Sequence, residues 1–127
     1  MTRLATDRLR GRRVLVVEDD AMIAMMVEDM LLDLGCGVMG PAGDVAEALT
    51  LIAVGEAPDA ALLDVNLDGK MVFPVADVLR RRGVPLIFCT GYAEDVLREA
   101  DHGSPVLRKP YRPRDLANAL LMVMPEA

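Results

Sequence analysis

Short apolar runs that end on a polar residue recur along this chain, and stretches with the spacing of amphipathic helices separate them. Val14 to Val17 leads into Glu18-Asp19-Asp20, Ala60 to Leu63 into Asp64, Leu86 to Cys89 into Thr90, and Val106-Leu107 into Arg108 and Lys109. Such alternation is the signature of βαβ units. The strands are expected at Arg13 to Val17, Val38 to Gly40, Asp59 to Leu63, Pro85 to Cys89 and Pro105 to Arg108. One helix is expected from Asp20 to Leu34, stopped by Gly35, and a second is announced by Asp44 with Glu47 three residues later. A third spans Val72 to Arg82, a short polar one lies between Glu94 and Ala100, and Pro113 opens the last. Right-handed crossovers then give an α/β fold: a doubly wound five-stranded parallel sheet in the flavodoxin-like order 2-1-3-4-5, with helices on both faces.

A chain of 127 residues with 53% hydrophobic content suits one compact domain. It is expected to occupy residues 13–124, with no room for a second, output domain. Residues 1–12 carry Arg3, Arg8, Arg10 and Arg12 against the single acid Asp7, and read as a solvated basic tail. Cys36 and Cys89 lack metal-ligand or disulfide spacing and read as reduced core thiols, which fits a cytoplasmic protein. No stretch has the roughly 20 apolar residues that a membrane span needs, and the leading segment lacks the apolar centre of a secretory signal. On spacing alone Met22, Met25, Met26 and Met30 read as core filler. The cations Arg80-Arg81-Arg82 read as complements to a helix dipole.

In this topology the polar residues stand where open parallel sheets place chemistry, at the carboxyl ends of the strands. The first and third strands are neighbours, so Glu18, Asp19 and Asp64 approach one another, and their mutual repulsion calls for a cation. Mg²⁺ suits carboxylate and carbonyl oxygens and keeps several waters. A metal, a carboxylate nucleophile, a hydroxyl and an ammonium group together point to phosphoryl transfer. Asp64 attacks, Lys109 and Mg²⁺ neutralise the phosphoryl oxygens, and Thr90 donates its hydroxyl to one of them.

Those residues and their order resemble the receiver domain of two-component response regulators, from about Arg12 to Met124. Val14-Leu15-Val16-Val17-Glu18-Asp19 resembles its acidic-pair motif, Leu63-Asp64 its phosphoacceptor, Thr90 its switch hydroxyl and Lys109-Pro110 its lysine with a cis peptide bond. The resemblance implies that Asp19, Asp64 and the Asn66 backbone carbonyl hold Mg²⁺, with Glu18 acting through a metal-bound water. Pro85-Leu86-Ile87-Phe88-Cys89-Thr90-Gly91-Tyr92 resembles the signature of the stand-alone FATGUY group, with Leu86 and Cys89 substituted. Regulators of that group take phosphoryl groups from HWE-type or related histidine kinases, or act as phosphate sinks. The partners implied are therefore a histidine kinase or histidine phosphotransfer protein and a downstream protein, with no direct nucleic acid contact. The resemblance also implies a docking face on the first helix, around Ala21, Met22 and Met25. Two departures matter. The position three before the lysine, aromatic in most receivers, is Val106, so Tyr92 is the candidate replacement, and Gly91 stands where many receivers have Ala, leaving the phosphoryl site more open.

Each residue also has an ordinary reading: Glu18 to Asp20 as helix caps, Asp64 and Asp68 as turn residues, Thr90 as a cap, Lys109 as a surface cation and His102 as an exposed loop residue. Independent caps have no reason to supply three chemical types at neighbouring strand ends. The rival enzyme class, a haloacid-dehalogenase-like phosphatase, normally has an acid two residues after its nucleophile, where this chain has Asn66, and its metal acids follow the lysine. A non-phosphorylated pseudo-receiver is opposed by the complete set Asp19, Asp64, Thr90 and Lys109. A flavodoxin-like cofactor binder is opposed by the 3% aromatic content and the acidic loop after the first strand.

Overall fold

The computed structural model describes residues 7–91 and 97–124. Elements in chain order are β1 (Arg13–Val17), α1 (Ala21–Asp33), β2 (Gly37–Ala42), α2 (Val45–Val54), β3 (Ala60–Asp64), β4 (Asn66–Leu67), β5 (Lys70–Met71), α3 (Phe73–Arg81), β6 (Leu86–Thr90), a 3₁₀ turn (Glu99–Asp101), β7 (Val106–Arg108) and α4 (Pro113–Val123). The main sheet is parallel in the order β2-β1-β3-β6-β7, which is 2-1-3-4-5 when only its own strands are counted.

β3 and β6 are buried along their whole length, which explains why they read as continuous apolar runs rather than alternating ones. One apolar cluster, with Leu15, Leu63, Phe88, Ile52 and Leu79, lies under α2 and α3. The other, with Val16, Leu62, Ile87, Leu31 and Leu116, lies under α1 and α4. The caps form as the sequence indicates. Asp20 accepts the amides of Met22 and Ile23 at 2.9 and 3.1 Å, and Asp44 accepts that of Glu47 at 2.7 Å while Glu47 reaches back to Gly43.

Several expectations change. The buried stripe of α1 is Ala24, Val27 and Leu31, so Met22, Met25 and Met26 are turned outward, 76%, 67% and 55% exposed, instead of filling the core. The turn after Asp64 is a small hairpin. Asp68 and Gly69 both take positive φ, 52° and 90°, as a two-residue turn between right-twisted strands requires. Arg80 and Arg82 have specific partners in addition to the helix dipole: the Asp101 carboxylate for Arg80 and the Ile52 carbonyl, at 2.7 Å, for Arg82. Of the expected helix between Glu94 and Ala100, residues 94–96 lie outside the described residues, as does Tyr92. Within the described part the chain is extended at Arg98 and then makes one 3₁₀ turn at Glu99–Asp101.

Residues 7–12, the described part of the leading segment, depart from a solvated arm. A helical turn at residues 7–9 packs on the domain, Leu9 is completely buried in the α1/α4 cluster, and Gly11 donates to the Gly35 carbonyl at 2.8 Å. Arg8 donates to the carbonyls of Leu121 and Met124 at 3.3 and 3.2 Å, satisfying acceptors that the carboxyl end of α4 leaves open. Arginine content indicates solvation, but one leucine placed between cations is enough to seat the turn. Leu9→Ala is expected to cost about 2–5 kcal/mol of unfolding free energy in urea denaturation. A loss below about 0.5 kcal/mol, the ordinary range for a surface substitution, would show that the turn contributes nothing to the core.

Candidate functional site

The register of the sheet assembles the site. Val17 pairs with Leu63, so Glu18 follows its strand beside Asp64, and Asp64 in turn pairs with Cys89, one residue before Thr90. Thr90 pairs with Arg108, and the Lys109 amide donates to the Thr90 carbonyl at 2.9 Å, which fixes the root of the lysine next to the hydroxyl. The peptide bond between Lys109 and Pro110 is cis. Glu18, Asp64 and Lys109 form the floor of a cleft of about 700 Å³ whose rim includes Asp19, Asn66 and Gly91, whereas Thr90 is buried and does not line it.

The Lys109 ammonium is half-buried and bonds both buried acids, Asp64 Oδ2 at 3.0 Å and Glu18 Oε1. The second oxygen of Glu18 accepts the Asp20 amide at 3.1 Å. Asp19 is exposed beside them, and one carboxylate oxygen from each of Glu18, Asp19 and Asp64 can be chosen so that the three lie within 4.8 Å of one another. The ordinary reading of these acids as caps holds for Asp20 alone. Asn66 uses its side-chain oxygen on the Gly69 amide at 2.7 Å, so it shapes the hairpin turn with its side chain. A methyl group on Gly91 would sit 3.9 Å from Lys109 Cδ, an ordinary contact, so the residue leaves space at the mouth of the cleft without being forced by geometry.

Burial is the largest influence on Asp64 and the Glu18 charge adds to it. Together they outweigh the opposing Lys109 contact and push the carboxyl up to about 7. Burial pulls Lys109 downward, but its bonds to Glu18 and Asp64 dominate and hold it above its ordinary value. Three carboxylates against one ammonium leave an excess of negative charge on hard oxygen donors, two of them buried. That donor set fits a small divalent cation such as Mg²⁺. Neither cysteine bears on this chemistry: both are free and buried, and burial pushes the Cys89 thiol, which adjoins the site, up to about 12.

One charged group escaped the sequence reading. Asp101 is completely buried beneath Arg80 and Arg98, and Arg98 also forks onto Asp77 and lies 4.5 Å over the Phe73 ring. Its local setting, between a short helical pattern and Gly103-Ser104-Pro105, resembles any exposed loop. Only the tertiary approach of α3 distinguishes it.

Comparison with known proteins places this geometry. Residues 14–121 match the family described as the response regulator receiver domain. The regulator PhyR of Methylorubrum extorquens is 33% identical over 107 residues, 82% of this chain and 40% of its own length. PdtaR of Mycobacterium tuberculosis is 33% identical over 113 residues, 86% of this chain and 55% of its own, so the chain spans about half the length of these curated relatives. Among solved structures, SdrG of Sphingomonas melonis Fr1 is 40% identical with a TM-score of 0.78, covering 89% of this chain and 98% of that one. The receiver domain of sensor histidine kinase PA1611 from Pseudomonas aeruginosa PAO1, solved with a magnesium ion coordinated in its active site cleft, is 25% identical with a TM-score of 0.73, covering 89% and 97%. The chain belongs to the response regulator receiver domain family, the phosphoryl-accepting modules of two-component signalling.

Proposed function

We propose that Asp64 is the phosphoryl acceptor of this receiver and that a phosphohistidine on a histidine kinase or phosphotransfer protein is its donor. A carboxylate oxygen of Asp64 attacks phosphorus in line. As that O–P bond forms, the N–P bond to the donor imidazole breaks, and the electron pair returns to the ring nitrogen, which takes up a proton. Lys109, now paired with Asp64 Oδ2, is placed to follow the charge onto the phosphoryl oxygens, and the Thr90 hydroxyl donates to one of them. Asp19, Asp64 and the Asn66 backbone carbonyl would hold Mg²⁺, with Glu18 reaching it through a water. When bound, the ion neutralises charge on the transferring group. The observation that carries this reading is the convergence of Asp64, Glu18, Asp19 and Lys109 at the ends of neighbouring strands.

The donor's helices are expected to dock on α1 and the loop after β7, where Ala21, Met22 and Met25 present exposed apolar and thioether surface. An HWE-type kinase, a cytoplasmic setting and service either as a phosphate sink or as a switch read by a downstream protein complete the proposal. The output would be a population shift expressed on the chain after Thr90, on β7 and on α4. Phosphotransfer profiling against the histidine kinases of the source organism tests donor and pathway together, and transfer from none of them would leave the proposal without its substrate. Because Asp19 supplies a rim carboxylate, Asp19→Ala should weaken Mg²⁺ binding on the order of tenfold or more, followed by amide shifts in an NMR titration. An unchanged affinity would remove it from the metal shell.

A further inference from the structure

The cleft that holds Asp64 continues along α1. Ile23, Met26 and Met30 of that helix and Pro110 and Tyr111 of the loop after β7 line it together with the acids, so a protein that brings phosphorus to Asp64 has to lie against α1. The outward side of this helix carries two columns. Met22 and Met26 are exposed in its first two turns, and seven residues beyond each of them stand Asp29 and Asp33, also exposed. Seven residues make close to two helical turns, so each acid lies on the same stripe as a methionine and about 10 Å further from the start of the helix.

Neither acid serves the helix itself. Asp33 is the last residue of α1, Asp29 stands one turn earlier, and no basic residue accompanies them in the last turn. Negative charge at this end opposes the helix dipole, and like charges four residues apart repel each other. Among the described residues neither acid makes a hydrogen bond or an ion pair. The arginines that the leading segment brings to this end of α1 are engaged elsewhere, Arg10 with Asp7 at 3.4 Å and Arg12 with Asp59 at 3.8 Å. A thioether patch adapts to the contour of the helix that covers it, whereas uncompensated carboxylates beside it select the charge of that helix.

We propose that Asp29 and Asp33 are specificity-determining residues for the phosphoryl donor: the donor helix that covers Met22 and Met26 bears lysine or arginine about two turns, or 10 Å, from its apolar contact residues, and these two acids receive those cations. The inference rests on the phosphohistidine-donor reading above. Asp29 and Asp33 touch no reacting atom. They act on encounter and docking, and they turn away donors whose helix carries acids at the same height.

The test compares two phosphoryl sources for the full chain: the histidine kinase that transfers fastest in profiling, and acetyl phosphate, which needs no protein surface. The quantity read is the ratio of the two labelling rates. In Asp29→Lys/Asp33→Lys it is expected to fall on the order of tenfold or more, through KM rather than kcat, and in Asp29→Asn/Asp33→Asn on the order of threefold. Kinase transfer to the wild type should slow as salt is raised, and the neutral variant should flatten that dependence. Both positions are exposed and lysine suits the carboxyl end of a helix, so the charge-reversed variant should melt no lower than the wild type, which separates lost docking from lost folding. An unchanged or raised ratio in the charge-reversed variant overturns the inference and leaves the two acids as solvated charges. A wild-type chain labelled by acetyl phosphate but by no kinase overturns the donor reading, and one labelled by neither overturns the acceptor reading itself.

Discussion

Asp64→Asn abolishes labelling by acetyl phosphate and by a phosphohistidine donor, because an amide of the same shape has no carboxylate oxygen to attack phosphorus. The variant should also fold, and in the absence of metal near neutral pH it should be more stable than the wild type. Asp64 is buried beside Glu18, and its carboxyl is pushed up to about 7 from an ordinary 3.8. At pH below about 4 both folded and unfolded chains carry the proton, and the site costs nothing. As pH rises the unfolded carboxyl ionises first, so folding is progressively penalised until pH passes about 7, where the folded group has ionised too. The stability advantage of the amide therefore grows between pH 4 and 7 and then levels off. Its size is on the order of 1 kcal/mol or more, a few degrees in Tm. Thermal melts in EDTA at pH 5 and pH 8 check this, and an advantage no larger at pH 8 would mean that the carboxylate is not penalised. Mg²⁺ should narrow the gap by stabilising the wild type alone.

Residues whose surroundings are local were legible in the sequence, and residues defined by tertiary approach were not. Val14 to Val17 and Leu62-Leu63 announce buried parallel strands because both faces of such strands are apolar, and the strand ends carry Asp64, Thr90 and Lys109 with them. The caps at Asp20 and Asp44 are equally local. The methionines of α1 misled because apolar spacing reports a helix without saying which face turns inward. Ala24, too small to stand out in the sequence, lines the buried face instead. Leu9 was hidden among arginines, and the hairpin after Asp64 has strands of only two residues each, below any periodic signal. Asp101 owes its burial to Arg80 from another element and to Arg98, a pairing that no local pattern encodes.

Lys109 is the residue whose loss should reach furthest. Its ammonium is the only group among the described residues that the structure pairs with both Glu18 and Asp64. In Lys109→Met the apolar stem is retained, so packing is largely kept, while two buried carboxylates face each other without compensation. Breaking a buried ion pair from one side costs about 3–5 kcal/mol, and here both acids lose their partner. The deficit depends on pH in a defined direction. With the ammonium gone Asp64 holds its proton to still higher pH, so the variant approaches wild-type stability as pH falls toward 4 and loses it as pH rises through neutrality. Adding Asp64→Asn to Lys109→Met removes one of the two opposed charges and should restore much of the stability while leaving labelling at zero. Lys109→Met alone should fold with Mg²⁺ present and label poorly, since the charge on the phosphoryl oxygens then lacks its cation. Denaturant midpoints of the single and double variants at pH 8 separate the electrostatic role from the chemical one. If the two effects simply add, Lys109 and Asp64 are not coupled, and the ion pair at 3.0 Å contributes nothing to either.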